Sequence, residues 1–339
     1  MKGGSGRTQQ FRTLGHSGIR VSTLALGTMM FGSWGNDDVD ECHRMVHRAL
    51  DAGITLFDTA DMYDDGVSET ILGQALRGHR DRVVLATKVG NPMAGDPDRR
   101  GLSRRWILQA CEDSLRRLGV DYIDLYQMHR PDLNTPVQES AAAFDELVTA
   151  GKVRAIGTST FSVEQIDEMA DTALAIGSLA PTSEQPPYSM LARGIESAVL
   201  PACRGLDMGV IVWAPLNGGW LTGKYQTGKY QTGTHDDSSR AMRKPEHFDH
   251  AQEAMRTTKR QIVDSLSGIA DDAGMTLKQL ALGFVLDDPT IAAAIIGPRT
   301  LAQLDDLLAA GDVALPAGVR DAIDAVVAPG HNVNPSDAD

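Results

Sequence analysis

The chain has 339 residues, 42% apolar and 23% charged, with 32 Lys and Arg against 45 Asp and Glu and a formal charge of −13. This composition can bury a sizeable core and excludes a fibrous or disordered chain, while the negative excess argues against sequence-independent binding to nucleic acid or an anionic membrane. Three dispersed cysteines, Cys42, Cys111 and Cys203, lack CxxC spacing, and nowhere do 18 apolar residues run together, so a disulfide framework, a zinc knuckle and a spanning helix are not expected and a reducing cytoplasm fits.

Met1 to Gln10 are rich in Gly, Ser, Gln and basic residues, without the apolar stretch of a signal peptide, and read as a flexible tail ahead of a single domain over residues 11–339. Phe11 to Val21, with Gly15 and Gly18 between apolar residues, reads as a short hairpin able to plug a barrel bottom. From Leu24 onward short apolar runs alternate with stretches of helical period, the pattern of repeated βα units. The expected strands are Leu24 to Gly27, Ile54 to Phe57, Val83 to Thr87, Tyr122 to Met128, Val153 to Gly157, a weak one near Thr182 to Gln185, Val210 to Trp213, and Ile291 to Ile296. Between them Val39 to Ala52, Ser68 to Arg77, Ser103 to Leu118, Val137 to Ala150, Val163 to Ala175, Ile195 to Arg204 and Met255 to Ala273 read as amphipathic helices, and Leu301 to Ala310 follows the last strand. Eight such units predict an α/β fold, a (β/α)8 barrel. Asn217 to Asp249, with its KYQTGKYQTG duplication, is expected to be a loop over one face.

Asp58, Lys88 and His129 each stand at the carboxyl end of a strand-like run, in ITLFD, VVLATK and YIDLYQMH. Barrel active sites form on that face. Tyr63 follows in FDTADMY, on the loop leaving the second strand, and can turn back over the same rim. Singly, each has an ordinary structural role as a cap, a rim ion pair or a packed aromatic. Together they make sense for carbonyl reduction, in which hydride attack places negative charge on an oxygen that must be stabilised and protonated. Tyr63 would supply the proton, Lys88 would draw its phenol toward phenolate, Asp58 would orient the lysine, and His129 would hold the carbonyl oxygen.

The stretches GITLFDTADMY, LATKVG, LYQMHRPD and GKVRAIGTSTF resemble the motifs of the aldo-keto reductases in their order, and the likeness runs from Phe11 to the end. The branch resembled is the bacterial one related to potassium-channel β-subunit-like reductases. It implies Asp58, Tyr63, Lys88 and His129 as the catalytic tetrad and NADPH as cofactor. It also implies that Thr28 and Met29 lie near the nicotinamide ribose, that Ser159 and Gln185 bind the carboxamide, and that Trp213 stacks on the nicotinamide, followed by Ala214 and Pro215. Leu216, Gly219 and Lys224 resemble the pyrophosphate-side loop, with Arg240 as an additional clamp, and Gly297, Arg299, Gln303 and Asp306 resemble the adenosine segment. A guanidinium at Arg299 beside a helix start favours the phosphorylated cofactor. Two positions depart from the pattern: Thr160 replaces the Asn after the serine of GxSNF, and Leu307 stands where an Asn commonly meets adenine.

Met29, Met30, Phe31, Trp34, Met62 and Trp220 are expected to wall the mouth for a small carbonyl substrate with an apolar body, a keto sugar being equally compatible. No GxGxxG follows a strand, no GxSxG is present, and His43 and His47 lack the central Glu of a zincin, so no metal is expected. Two rivals remain: a barrel lyase forming a Schiff base on Lys88, and a cofactor-sensing regulatory subunit. Oligomeric state stays open.

Overall fold

The computed structural model describes residues 10–93, 95–225, 253–311 and 313–338. An antiparallel hairpin, β1 (Phe11–Thr13) and β2 (Arg20–Ser22), precedes eight parallel strands. These are β3 (Leu24–Gly27), β4 (Leu56–Asp58), β5 (Val84–Val89), β6 (Ile123–Met128), β7 (Val153–Thr158), β8 (Ser183–Glu184), β9 (Gly209–Val212) and β10 (Ile291–Ile296). They pair in chain order and β10 closes on β3, giving the expected (β/α)8 barrel.

The two-residue alternation of a strand sorts this apolar sequence into two cores. Ala25, Leu56, Ala86, Leu125, Ala155, Ile211 and Ala293 fill the interior, and the hairpin's Leu14 and Val21 join them as the expected plug. Leu24, Leu26, Phe57, Leu85, Tyr126, Ile156, Val210 and Val212, one step out of phase, pack outward with the helices. Gly15 is left-handed at φ 50°, and a Cβ there would strike the backbone of Thr182, Asp207 and Gly209, so only glycine lets the plug seat.

The outer ring comprises α1 (Val39–Asp51), α2 (Val67–Ala75), α3 (Arg104–Leu118), α4 (Val137–Thr149), α5 (Val163–Ile176), α6 (Val199–Gly205), α7 (Glu253–Asp272), α8 (Leu277–Leu286), α9 (Leu301–Ala310) and α10 (Val319–Val326). Asp38, Ser103, Ser162 and Thr300 start helices by accepting a backbone N–H, and left-handed Gly119 and Gly177 end two of them.

Three expectations fail here. Ile195 to Arg204 is not one helix but a 3-10 turn, Gly194–Glu196, followed by α6. Pro201 sits in the first turn of α6, where its ring opposes extension of the helix backwards. Helix α8 is missed because eight of its ten residues are buried, leaving no polar stripe to reveal a period, and α10 is only eight residues long. The tail and the long loop lie mostly outside the described residues; within them, the loop's start, Asn217–Thr222, is a kinked 3-10 segment. No described helix is long and apolar enough to cross a membrane.

Candidate active site

The alternation that fills the barrel also builds its mouth. Inward positions run Leu56 to Asp58, Ala86 to Lys88, and Leu125 to Gln127 to His129, so the apolar layer gives way to a polar one at the strands' carboxyl ends. Asp58 and Lys88, both buried, pair at 2.5 Å. The ammonium also donates to the Thr59 carbonyl at 2.8 Å and reaches the Tyr63 hydroxyl at 3.5 Å. Gln127 and Gln185 donate to the other Asp58 oxygen at 3.3 and 2.8 Å, and Gln185 also donates to Gln127 at 3.0 Å. Sequence reading missed Gln127, although its place two residues before His129 marks it as inward-facing.

Tyr63 opens a 3-10 turn, Tyr63–Gly66, in which Asp64 and Asp65 are left-handed. The Asp64 carboxylate accepts the Ser33 N–H at 2.7 Å and its hydroxyl at 2.5 Å, tying this turn to the loop after β3. The rings of Tyr63 and His129 meet edge to face, centroids 5.8 Å apart, and Trp34 leans on Tyr63 at 6.3 Å. All four expected catalytic side chains thus converge on one mouth.

Burial by itself lowers the Lys88 pKa, but Asp58 and Tyr63 outweigh it and the ammonium is held above its ordinary value. Burial raises the Tyr63 phenol and Lys88 only partly offsets this. Lys88 pulls the phenol toward phenolate, as expected, but burial outweighs that pull and leaves the phenol above its ordinary value. Burial, aided by Lys88 and Arg130, pushes His129 well below its usual value, so the imidazole is neutral; its Nδ1 is buried without a hydrogen-bond partner among the described residues. The site combines a protonated phenol, a fixed cation and a neutral imidazole, a set able to stabilise and protonate an oxyanion.

The remaining expected residues are distributed as follows. Thr28 is buried, its N–H and hydroxyl both directed at the Asp58 carbonyl, and Met29 beside it is half-buried. Ser159 donates to the Gln185 carbonyl at 2.9 Å. Trp213, two residues beyond the inward Ile211, packs half-buried on the interior cluster. Ala214 is left-handed at φ 54° and its carbonyl accepts the Asn217 N–H, while Pro215 is buried and Leu216 half-buried. Gly218 and Gly219 are left-handed, and Lys224 is exposed with its ammonium over the Tyr225 ring. Arg240 lies outside the described residues. Gly297 is exposed in open space. Arg299 precedes the Thr300 cap of α9, with its N–H donated to Gln303 and its carbonyl taken by Asn36. Asp306 pairs with Lys278 on the outer surface.

One expectation about this rim is corrected. Phe31 and Trp220 are almost fully buried in the outer core and do not wall the mouth; among the residues named for it, Met29, Met30, Trp34 and Met62 remain half-buried. Leu307, where the family pattern commonly has an Asn, is 7% exposed and lies on the buried stripe of α9 with Leu304.

Three observations on this side of the mouth fit a bound dinucleotide. The Thr160 hydroxyl is buried without a partner among the described residues, beside Ser159. The Gly218–Gly219 turn, left-handed at both residues, carries no side chain of its own and has the Lys224 ammonium set against Gly219. Asn217, whose own φ is positive, anchors that turn by donating to Asp337 at 2.9 Å, and buried Lys259 binds the same carboxylate at 2.7 Å.

The family model described as aldo/keto reductase family matches residues 23–328. The chain belongs to the aldo/keto reductase family, oxidoreductases that act on small carbonyl compounds. An uncharacterized oxidoreductase of Bacillus subtilis, YrpG, is 39% identical over 90% of this chain and 92% of its own length. The aldo-keto reductase YhdN of the same organism is 35% identical over 88% of this chain and 87% of itself. A probable voltage-gated potassium channel subunit beta of Arabidopsis thaliana is 35% identical over 90% of this chain and 92% of itself.

Proposed function

We propose that the chain is a single-domain, cytoplasmic NADPH-dependent reductase of an aldehyde or ketone, with Tyr63 as general acid. The observation that carries this reading is the protonated Tyr63 hydroxyl set between the Lys88 ammonium and the neutral His129 ring. NADPH, when bound, supplies the hydride. Ser159, Thr160 and Gln185 would hold its carboxamide, Thr28 and Met29 its nicotinamide ribose, and Trp213 its ring face. Leu216, Gly219 and Lys224 would hold the pyrophosphate, and Gly297, Arg299, Gln303 and Asp306 the adenosine end.

The carbonyl oxygen then lies against the Tyr63 hydroxyl and His129. As charge grows on that oxygen, Tyr63 gives up its proton and the adjacent ammonium stabilises the phenolate left behind. Asp58, fixed by Gln127 and Gln185, keeps the ammonium in place. A Schiff base on Lys88 is disfavoured, because nucleophilic attack needs a neutral amine and Asp58 and Tyr63 hold the ammonium.

Tyr63→Phe is expected to lower NADPH-dependent reduction of simple aldehydes by about 10³-fold while NADPH binding, followed by fluorescence, stays within about twofold; retained turnover overturns the assignment. The likeness to the plant channel subunit favours a second reading, a cofactor-sensing subunit. Tight NADPH binding without turnover across a broad carbonyl panel would support it.

A further inference from the structure

Gln185 turns into the barrel to meet Asp58, so strand alternation turns Glu184 outward, beside Thr158 of β7 and toward Cys203 of α6. Glu184 is fully buried, and among the described residues no cation lies within ion-pair distance of it. Its carboxylate instead accepts the Thr158 hydroxyl at 2.5 Å and the Phe161 N–H at 3.2 Å, with the Thr160 N–H directed at the same group. These donors frame the turn that carries Ser159 and Thr160. Thr160 is left-handed at φ 58°, a conformation a β-branched residue adopts only under constraint. Consecutive N–H groups aimed at one carboxylate supply that constraint. A carboxyl buried without a cation in direct contact is a costly way to fix a turn, which points to a demand beyond folding.

We propose that Glu184 is a positioning residue for the nicotinamide end of the cofactor: its carboxylate fixes the 159–161 turn so that Ser159, Thr160 and Gln185 face the carboxamide, and the cofactor binds more tightly when Glu184 is ionised. This rests on the NADPH reading above. Thr158, Thr160 and Phe161 face the carboxylate from β7 and its loop, the neutral Cys203 thiol from α6, and Arg130 acts on it from the loop after β6. Ser183, its neighbour on β8, leaves its hydroxyl buried and unpartnered among the described residues.

Burial pushes the Glu184 carboxyl up from 4.5 to about 7, against the pull of Thr158, the two N–H groups and Arg130. Because the folded value is raised, this group stabilises the fold below pH 4.5 and that contribution is lost as pH rises through about 7. Cofactor affinity runs the other way and rises over the same window, with a proton released on binding. Opposite trends for stability and affinity separate a positioning role from a structural one.

The test titrates wild type and Glu184→Gln, which mimics the protonated acid at every pH, with NADPH at about pH 6 and about pH 8, following tryptophan fluorescence and Tm. Wild type should bind about tenfold more tightly at the higher pH. The variant should keep the weaker affinity at both, with Tm at the higher pH equal to or above wild type. Wild-type affinity and pH dependence in the variant overturn the proposal, as does a lower Tm accompanied by weaker binding at both pH values. Thr158→Val provides a second arm by removing one donor: the midpoint of the affinity profile should move to higher pH, and an unmoved midpoint overturns the proposal. If wild type binds neither NADPH nor NADP+ at either pH, the cofactor reading fails and this inference with it.

Discussion

The two halves of the barrel mouth are built differently. On the first half, Asp58, Lys88 and His129 hang directly from β4, β5 and the end of β6, and Asp58 and Lys88 are bonded to one another inside the barrel. On the second half, the candidate binding residues ride on turns with positive φ, at Thr160, Ala214, Asn217, Gly218 and Gly219. Those turns are held from behind by carboxylates, the buried Glu184 for one and the partly buried Asp337 for another. Groups that move protons need sub-ångström placement, and strands of a closed sheet provide it. Groups that receive and release a large ligand gain from turns whose strain is held by contacts outside the site.

Breaking the first half should have the largest effect. Lys88→Met strands a buried Asp58, which is expected to cost about 3–5 kcal/mol of stability and to abolish turnover; thermal unfolding and stopped-flow reduction read the two. Asp337→Ala attacks the second half by taking the carboxylate away from both the buried Lys259 ammonium and the Asn217 amide. Its stability cost should be about 3 kcal/mol, with NADPH affinity lowered about tenfold and the single-turnover rate at saturating cofactor unchanged. A fall in that rate would erase the distinction between the halves.

Smaller effects sharpen the contrast. Leu307→Asn buries an amide in the outer core and should lose about 2–3 kcal/mol by chemical denaturation without tightening NADPH binding. Arg299→Ala should weaken NADPH about tenfold and leave NADH within about twofold, as read by parallel fluorescence titrations. Equal losses for both cofactors would remove Arg299 from the choice between them.

The first half was largely legible in the sequence because its information is local. A polar residue ending an apolar strand run is visible in a stretch such as VVLATK, and three of the four tetrad positions announce themselves that way. Tyr63 sits on a loop, so it was marked out by its place just after Asp58 and by the chemistry the other three need, and the family motif agreed. On the second half the motifs named Ser159, Gln185 and Trp213, but not Glu184, Lys259 or Asp337, which hold the turns. Phe31 and Trp220 were misplaced for a related reason: an apolar side chain near a site is equally consistent with wall and with core, and only packing chooses.

Alternation and helical period in the sequence determined the eight-unit barrel, the inward face of each strand and hence where Asp58, Lys88 and His129 would meet, because a strand's two-residue repeat acts over a few neighbours. Only the tertiary structure decided that burial outweighs Lys88 at the Tyr63 phenol, that Gln127 shares Asp58 with Gln185, and that Glu184 and Asp337 fix turns far from them in the chain. Burial and long-range hydrogen bonds belong to the closed barrel as a whole, and no local stretch of sequence encodes them.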